Sequence, residues 1–104
     1  MNPKAAEAWN FAIAKLQSAR QYIEREEDDL AKTQISQAVY MGAGALFYLL
    51  GQSPQEQAAH QAAQGLINDM ADGQACAHDA YHVACKILTC IAELSPEEDR
   101  FPPP

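Results

Sequence analysis

The segment Gly51-Gln52-Ser53-Pro54-Gln55-Glu56 is the strongest local signal in the chain, a helix stop followed at once by a helix start. Glycine tolerates the positive φ that closes a helix. Ser53 offers an acceptor to the orphaned amides of a first turn, Pro54 suits the first helical position, and Glu56 stands where a capping box closes. Upstream, Leu30, Ile35, Ala38, Val39, Leu46, Phe47 and Leu50 mark the apolar positions of a helix that ends at Gly51. From Ala38 to Leu50 it is apolar nearly all round, which predicts the most buried segment of the fold. Ala38, Gly42 and Ala45 align small residues where another helix can approach closely. Gly42 and Gly44 each cost about 1 kcal/mol against Ala in a helix interior, and that approach is the expected compensation. Downstream, Ala59, Ala62, Ala63, Leu66, Ile67 and Met70 form the apolar face of the helix that Ser53 opens, and Asp72-Gly73 ends it.

Working outward, Asn2-Pro3 reads as an N-cap and first helical residue. Trp9, Ala12, Ile13, Leu16, Ala19 and Ile23 then recur at steps of three and four. The run Glu24-Arg25-Glu26-Glu27-Asp28-Asp29 has no apolar residue, and its carboxylates favour a helix N-terminus over a C-terminus. The break is therefore expected there, with the second helix starting near Asp28 or Asp29. A single helix from 3 to 50 is also compatible, because no Gly or Pro falls between Pro3 and Gly42. The last helix carries Cys76, Ala80, Val83, Ile87, Cys90 and Leu94 at alternating steps of four and three, widened by Ala84 and Ile91, and Ser95-Pro96 stops it. Short connections favour antiparallel neighbours, so the expected fold is all-α, an up-down four-helix bundle over residues 1–95. Residues 96–104 read as an extended, acidic, proline-rich tail.

Composition agrees with helices. Ala occurs 20 times and Gln 10 times, whereas Val and Thr occur twice each, too few β-branched residues for a sheet. The chain has 104 residues, 48% of them hydrophobic, and a formal net charge of -7. Such a balance excludes phosphate-driven binding of nucleic acid, which needs clustered cations. No apolar run is long enough for a membrane span, and no basic-then-apolar leader opens the sequence. Three cysteines (Cys76, Cys85, Cys90) without a secretory signal suggest reduced thiols and a cytoplasmic protein. Residues 24–29 and 97–100 together hold -6 of the net charge, so the helical body is nearly neutral.

One constellation could bear chemistry. At 100° per residue from Cys76, His78, Tyr81, His82 and Cys85 fall at about 200°, 140°, 240° and 180°, opposite the expected core stripe. His78, His82 and Cys85 have a spacing that Zn²⁺ or Cu could use with a fourth ligand from elsewhere. Asp79, however, stands where a His-Glu-x-x-His metalloprotease has its Glu. The reading preferred is a partner or dimer face, with no metal or other cofactor. Cys85 beside His82 is the one thiol–base pair on a helical face, while Cys76 and Cys90 are expected as small buried residues. His60 points away from its helix's apolar stripe and is expected in solvent. Glu26 and Glu27 lie on an exposed turn, where desolvation is too weak to raise a carboxyl pKa for acid catalysis. No Gly-rich phosphate loop is present.

Leu16 to Leu50, with Ser36-Gln37-Ala38 and Gly44-Ala45-Leu46 in its second helix, resembles the helical hairpin of HEPN-type domains over about a third of the chain. That family's RNase activity implies an Arg followed by a His in a late helix. The one Arg after the hairpin, Arg100, lies beyond every His, so the resemblance implies a non-catalytic protein. The function expected is that of a small non-enzymatic regulatory protein of the inhibitor, antitoxin, immunity or chaperone kind, such as bacteria and phages use. Its contacts would be His78, Tyr81, His82 and Cys85, with Glu26, Glu27, Asp28 and Asp29 steering a basic protein surface. A metal-binding protein and a homo-oligomeric bundle are the alternatives.

Overall fold

The computed structural model describes residues 2–104. Four helices follow one another: α1 (Pro3–Glu24), α2 (Asp28–Leu50), α3 (Pro54–Ala71) and α4 (Ala77–Leu94). A short 3-10 turn at Glu97–Asp99 follows them, and no strand occurs among the described residues. Local chemistry sets the boundaries. Asn2 Oδ1 accepts from the amides of Lys4 and Ala5 at 3.0 and 3.2 Å, and Ser53 Oγ accepts from that of Glu56 at 3.1 Å. The acidic run divides the first fifty residues into two helices, with Glu26 at φ 58 turning the chain and Asp28 and Asp29 in the first turn of α2. Their charge is favourable at that helix end.

α2 packs against all three other helices, and α4 also packs against α1 and α3. The Asn2 side-chain amide donates to the Tyr48 carbonyl at 3.3 Å, which sets the start of α1 beside the end of α2 and makes the pair antiparallel. Gly42 explains the closeness of α2 and α4: a Cβ there would lie 2.3 Å from Cδ2 of Leu88. Leu88 and Ile91 of α4 are buried over this hollow. Gly44 differs, because nothing lies within 4 Å of a Cβ built on it. Close packing therefore compensates Gly42 and leaves the cost of Gly44 unexplained by the core.

Several expected core positions lie elsewhere. In α2, Leu30 and Phe47 are exposed, as are Tyr40 and Tyr48. The small residues Ala38, Gly42, Ala43 and Ala45 meet the other helices, and the aromatic rings are left outside. In α3, Ala62 is exposed while Glu56 is buried. In α4 the buried residues Ala77, Ala80, Ala84, Leu88 and Ile91 centre the core face about 80° around the helix from Cys76. Val83, Cys90 and Leu94 consequently face outward, and Cys76 is an N-cap whose thiol accepts from the Asp79 amide at 3.5 Å. The cause is tertiary: Leu88 fills the hollow at Gly42, a fit that the pattern of α4 alone does not contain.

Residues 96–104 fold back onto the bundle. Phe101 is 1% exposed and stacks on Trp9 with ring centroids 4.7 Å apart and planes 6° from parallel. Trp9 Nε1 donates to the Pro102 carbonyl at 3.0 Å, and the Phe101 amide donates to Ser95 Oγ at 3.0 Å. Arg100 donates to the Ala92 and Glu93 carbonyls at the end of α4, the first of which also accepts from the Ser95 hydroxyl. Glu97 and Glu98 remain in solvent.

Candidate functional site

The four residues singled out on α4 form a contiguous patch, but not an outward-facing one throughout. His78 and His82 are exposed, with rings 4.8 Å apart and edge to face. Tyr81 and Cys85 are half-buried against the core cluster. Burial, reinforced by the Cys85 thiol at its hydroxyl, pushes the Tyr81 phenol above its ordinary value of 10.0, against a lowering by Arg20. Cys85 thus meets the Tyr81 hydroxyl, while the Tyr81 ring also lies edge to face with that of His82 at 5.9 Å between centroids. Among the described residues no group of three or more His, Cys, Asp or Glu is gathered as a metal site.

His78, Tyr81 and His82 share a hollow of about 370 Å³ with Arg20, Ile23 and Glu24 at the end of α1. Two residues further on begins the acidic turn, where Glu26, Glu27, Asp28 and Asp29 are all exposed around an open hollow of about 370 Å³. The histidines and the carboxylates therefore occupy the same end of the bundle. The Trp9–Phe101 stack lies at the other, near the start of α1.

The apolar surface that sequence reasoning assigned to the core lies on the opposite shoulder of α4. Val83 and Leu94 are each 42% exposed, and with Ile87 and Cys90 they make a strip at positions 83, 87, 90 and 94. Ala58, Ala59 and Ala62 of α3 form the other wall of this groove, whose volume is about 250 Å³ and whose one charged lining residue is Lys86. The helical spacing of the strip was legible; its exposure was not.

A second surface was missed altogether. Tyr40, Gly44, Phe47 and Tyr48 of α2 face Glu56 and His60 of α3 across a cleft of about 690 Å³. Glu56 is 4% exposed, and instead of closing a capping box its Oε1 accepts from His60 Nε2 at 2.9 Å. His60, expected in solvent, is half-buried and its ring contacts that of Tyr40. The i, i+4 spacing of Glu56 and His60 was the available signal.

The chain matches no protein-family model, no curated protein and no solved structure. The likeness to the HEPN hairpin accordingly gains no support from known families. No helix among the described residues is long and apolar enough to cross a membrane.

Proposed function

We propose that the chain is a small non-enzymatic interaction protein that docks one amphipathic helix of a basic partner protein along the α3–α4 groove. The observation behind this reading is the strip of exposed Val83, Cys90 and Leu94 with half-buried Ile87 between them, whose steps of four, three and four are those of a helix–helix seam. Ala58 and Ala62 keep the facing wall low enough for a third helix to settle between α3 and α4. Such helix-in-groove recognition takes its affinity from a few apolar anchors. A basic partner different from the chain itself is favoured by the exposed carboxylates of residues 26–29, which attract a cationic surface and repel their own copies. Glu26, Glu27, Asp28 and Asp29 then act at a distance, speeding encounter with a cationic surface, while His78 and His82 edge the same end. Tyr81 and Cys85 contribute less contact than their spacing suggests, since the bundle already takes up part of each. Three unpaired thiols suit a reducing compartment, and we assign the protein to the cytoplasm on that ground. A regulatory accessory role, as inhibitor, antitoxin, immunity protein or chaperone, fits a binding module without a reaction of its own.

The test is site-specific photo-crosslinking from Cys90 in a Cys76→Ser/Cys85→Ala background, in which serine keeps the cap of α4. The reading predicts one predominant adduct with a different, basic protein, mapped to a helical segment. Adducts between copies of the chain would replace it with the homo-oligomeric alternative.

A further inference from the structure

Gly44 sits in the middle of α2 with open space where its side chain would be. A helix-interior glycine is about 1 kcal/mol less stable than alanine there, and no neighbouring helix uses the room it leaves. Gly65 of α3 has similar room, but on an exposed helix surface. At Gly44 the gap is instead the floor of the cleft, between Tyr40 one turn before it and Phe47 three residues after. Tyr48 adds a third ring to the lining, edge to face with Phe47 at 6.3 Å between centroids.

The polar end of the cleft is a carboxylate. Glu56 is buried, and His60 occupies its Oε1. An ionised carboxylate has about four acceptor sites, so one imidazole N–H leaves acceptor capacity in place. Among the described residues no Lys or Arg lines the cleft. Aromatic faces are negative at their centres and attract cations that water binds weakly, alkylated ammonium and guanidinium above all. Three rings, a buried carboxylate and a glycine slot together provide what an organic cation needs and what an anion or a neutral alkyl group does not.

We infer that the cleft bounded by Tyr40, Gly44, Phe47, Tyr48 and Glu56 is a binding site for an organic cation, an alkylammonium or guanidinium group, held over the rings and paired with the Glu56 carboxylate. Its source is either the side chain of a basic peptide segment or a free small molecule. The site is separate from the α3–α4 groove and does not depend on what binds there.

Amide NMR titration of the full chain tests this with three probes: choline, its uncharged isostere 3,3-dimethyl-1-butanol, and a blocked arginine-containing tripeptide. At least one of the two cations should give saturable shifts at Gly44 and Tyr48, with the neutral isostere at least about tenfold weaker. Tighter binding of the tripeptide assigns the cation to a protein segment, and tighter binding of choline assigns it to a free metabolite; either outcome supports the site. Glu56→Gln should weaken the preferred cation about tenfold or more. Gly44→Leu should abolish its binding while the thermal unfolding midpoint stays the same or rises, which separates a filled slot from a failed fold. Equal binding of the neutral isostere, or no saturable shift from either cation, overturns the proposal.

Discussion

The ring of Phe101 lies flat against the indole of Trp9, 92 positions earlier in the chain, at 4.7 Å between centroids. The same indole donates to the Pro102 carbonyl, so the C-terminal segment is fixed by a ring face and an N–H together. Truncating a buried Phe to Ala costs about 3–5 kcal/mol through lost transfer energy and the cavity left behind. Phe101→Ala should therefore be among the most destabilising single changes in the chain. Urea denaturation should show a large fall in midpoint with little change in slope.

Gly42 and Gly44 should respond oppositely to the same substitution. Gly42→Ala drives a methyl into Leu88 Cδ2, a side chain held fully buried in the core, and should destabilise by about 1–3 kcal/mol, despite alanine's better helix propensity. Gly44→Ala meets nothing within 4 Å and should stabilise by about 0.5–1 kcal/mol. Thermal melts of the two variants beside the parent check the pair.

Tyr81 should make the fold sensitive to alkali. Its phenol titrates above 10.0 in the folded protein, burial being the main cause, so the unfolded chain releases this proton first as pH rises. The stabilisation is fully present below the unfolded value and is lost as pH climbs through the folded one. Subtracting the ultraviolet titration of Tyr81→Phe from that of the parent should isolate a transition above pH 10.0. The variant should also lose less stability between neutral and strongly alkaline pH.

Helix boundaries were legible because capping is local: Asn2, Ser53 and the glycines at 51 and 73 act on residues within one turn. The phase of α4 was not. Its apolar residues span both shoulders, and the choice between them rests on Leu88 entering a hollow in α2 that no property of α4 reveals. The sequence pattern places Phe101 in an extended acidic tail, because its partner is Trp9, far away in sequence. Glu56 read as a capping residue, a role its position permits, while its side chain turns toward His60. In each case the long-range contact decided what the local pattern left open.

Charge steering should be visible in kinetics. With Glu26, Glu27, Asp28 and Asp29 exposed at one end, association with a basic partner should slow as salt is added. Replacing Glu27 and Asp29 by Gln and Asn should lower the association rate several-fold and flatten its salt dependence, with a much smaller effect on dissociation. Stopped-flow measurements at several ionic strengths would show it.

The most direct measurement is the affinity of the crosslinked partner for the parent and for a Val83→Asp/Cys90→Asp variant. Val83 is partly and Cys90 largely outside the core, and Asp near the end of α4 opposes the helix dipole, so unfolding should change by no more than about 1 kcal/mol per site. The docking account predicts a loss of affinity of about 100-fold or more, since two charges would be buried in an apolar seam. An unchanged affinity in a normally folded variant would contradict it.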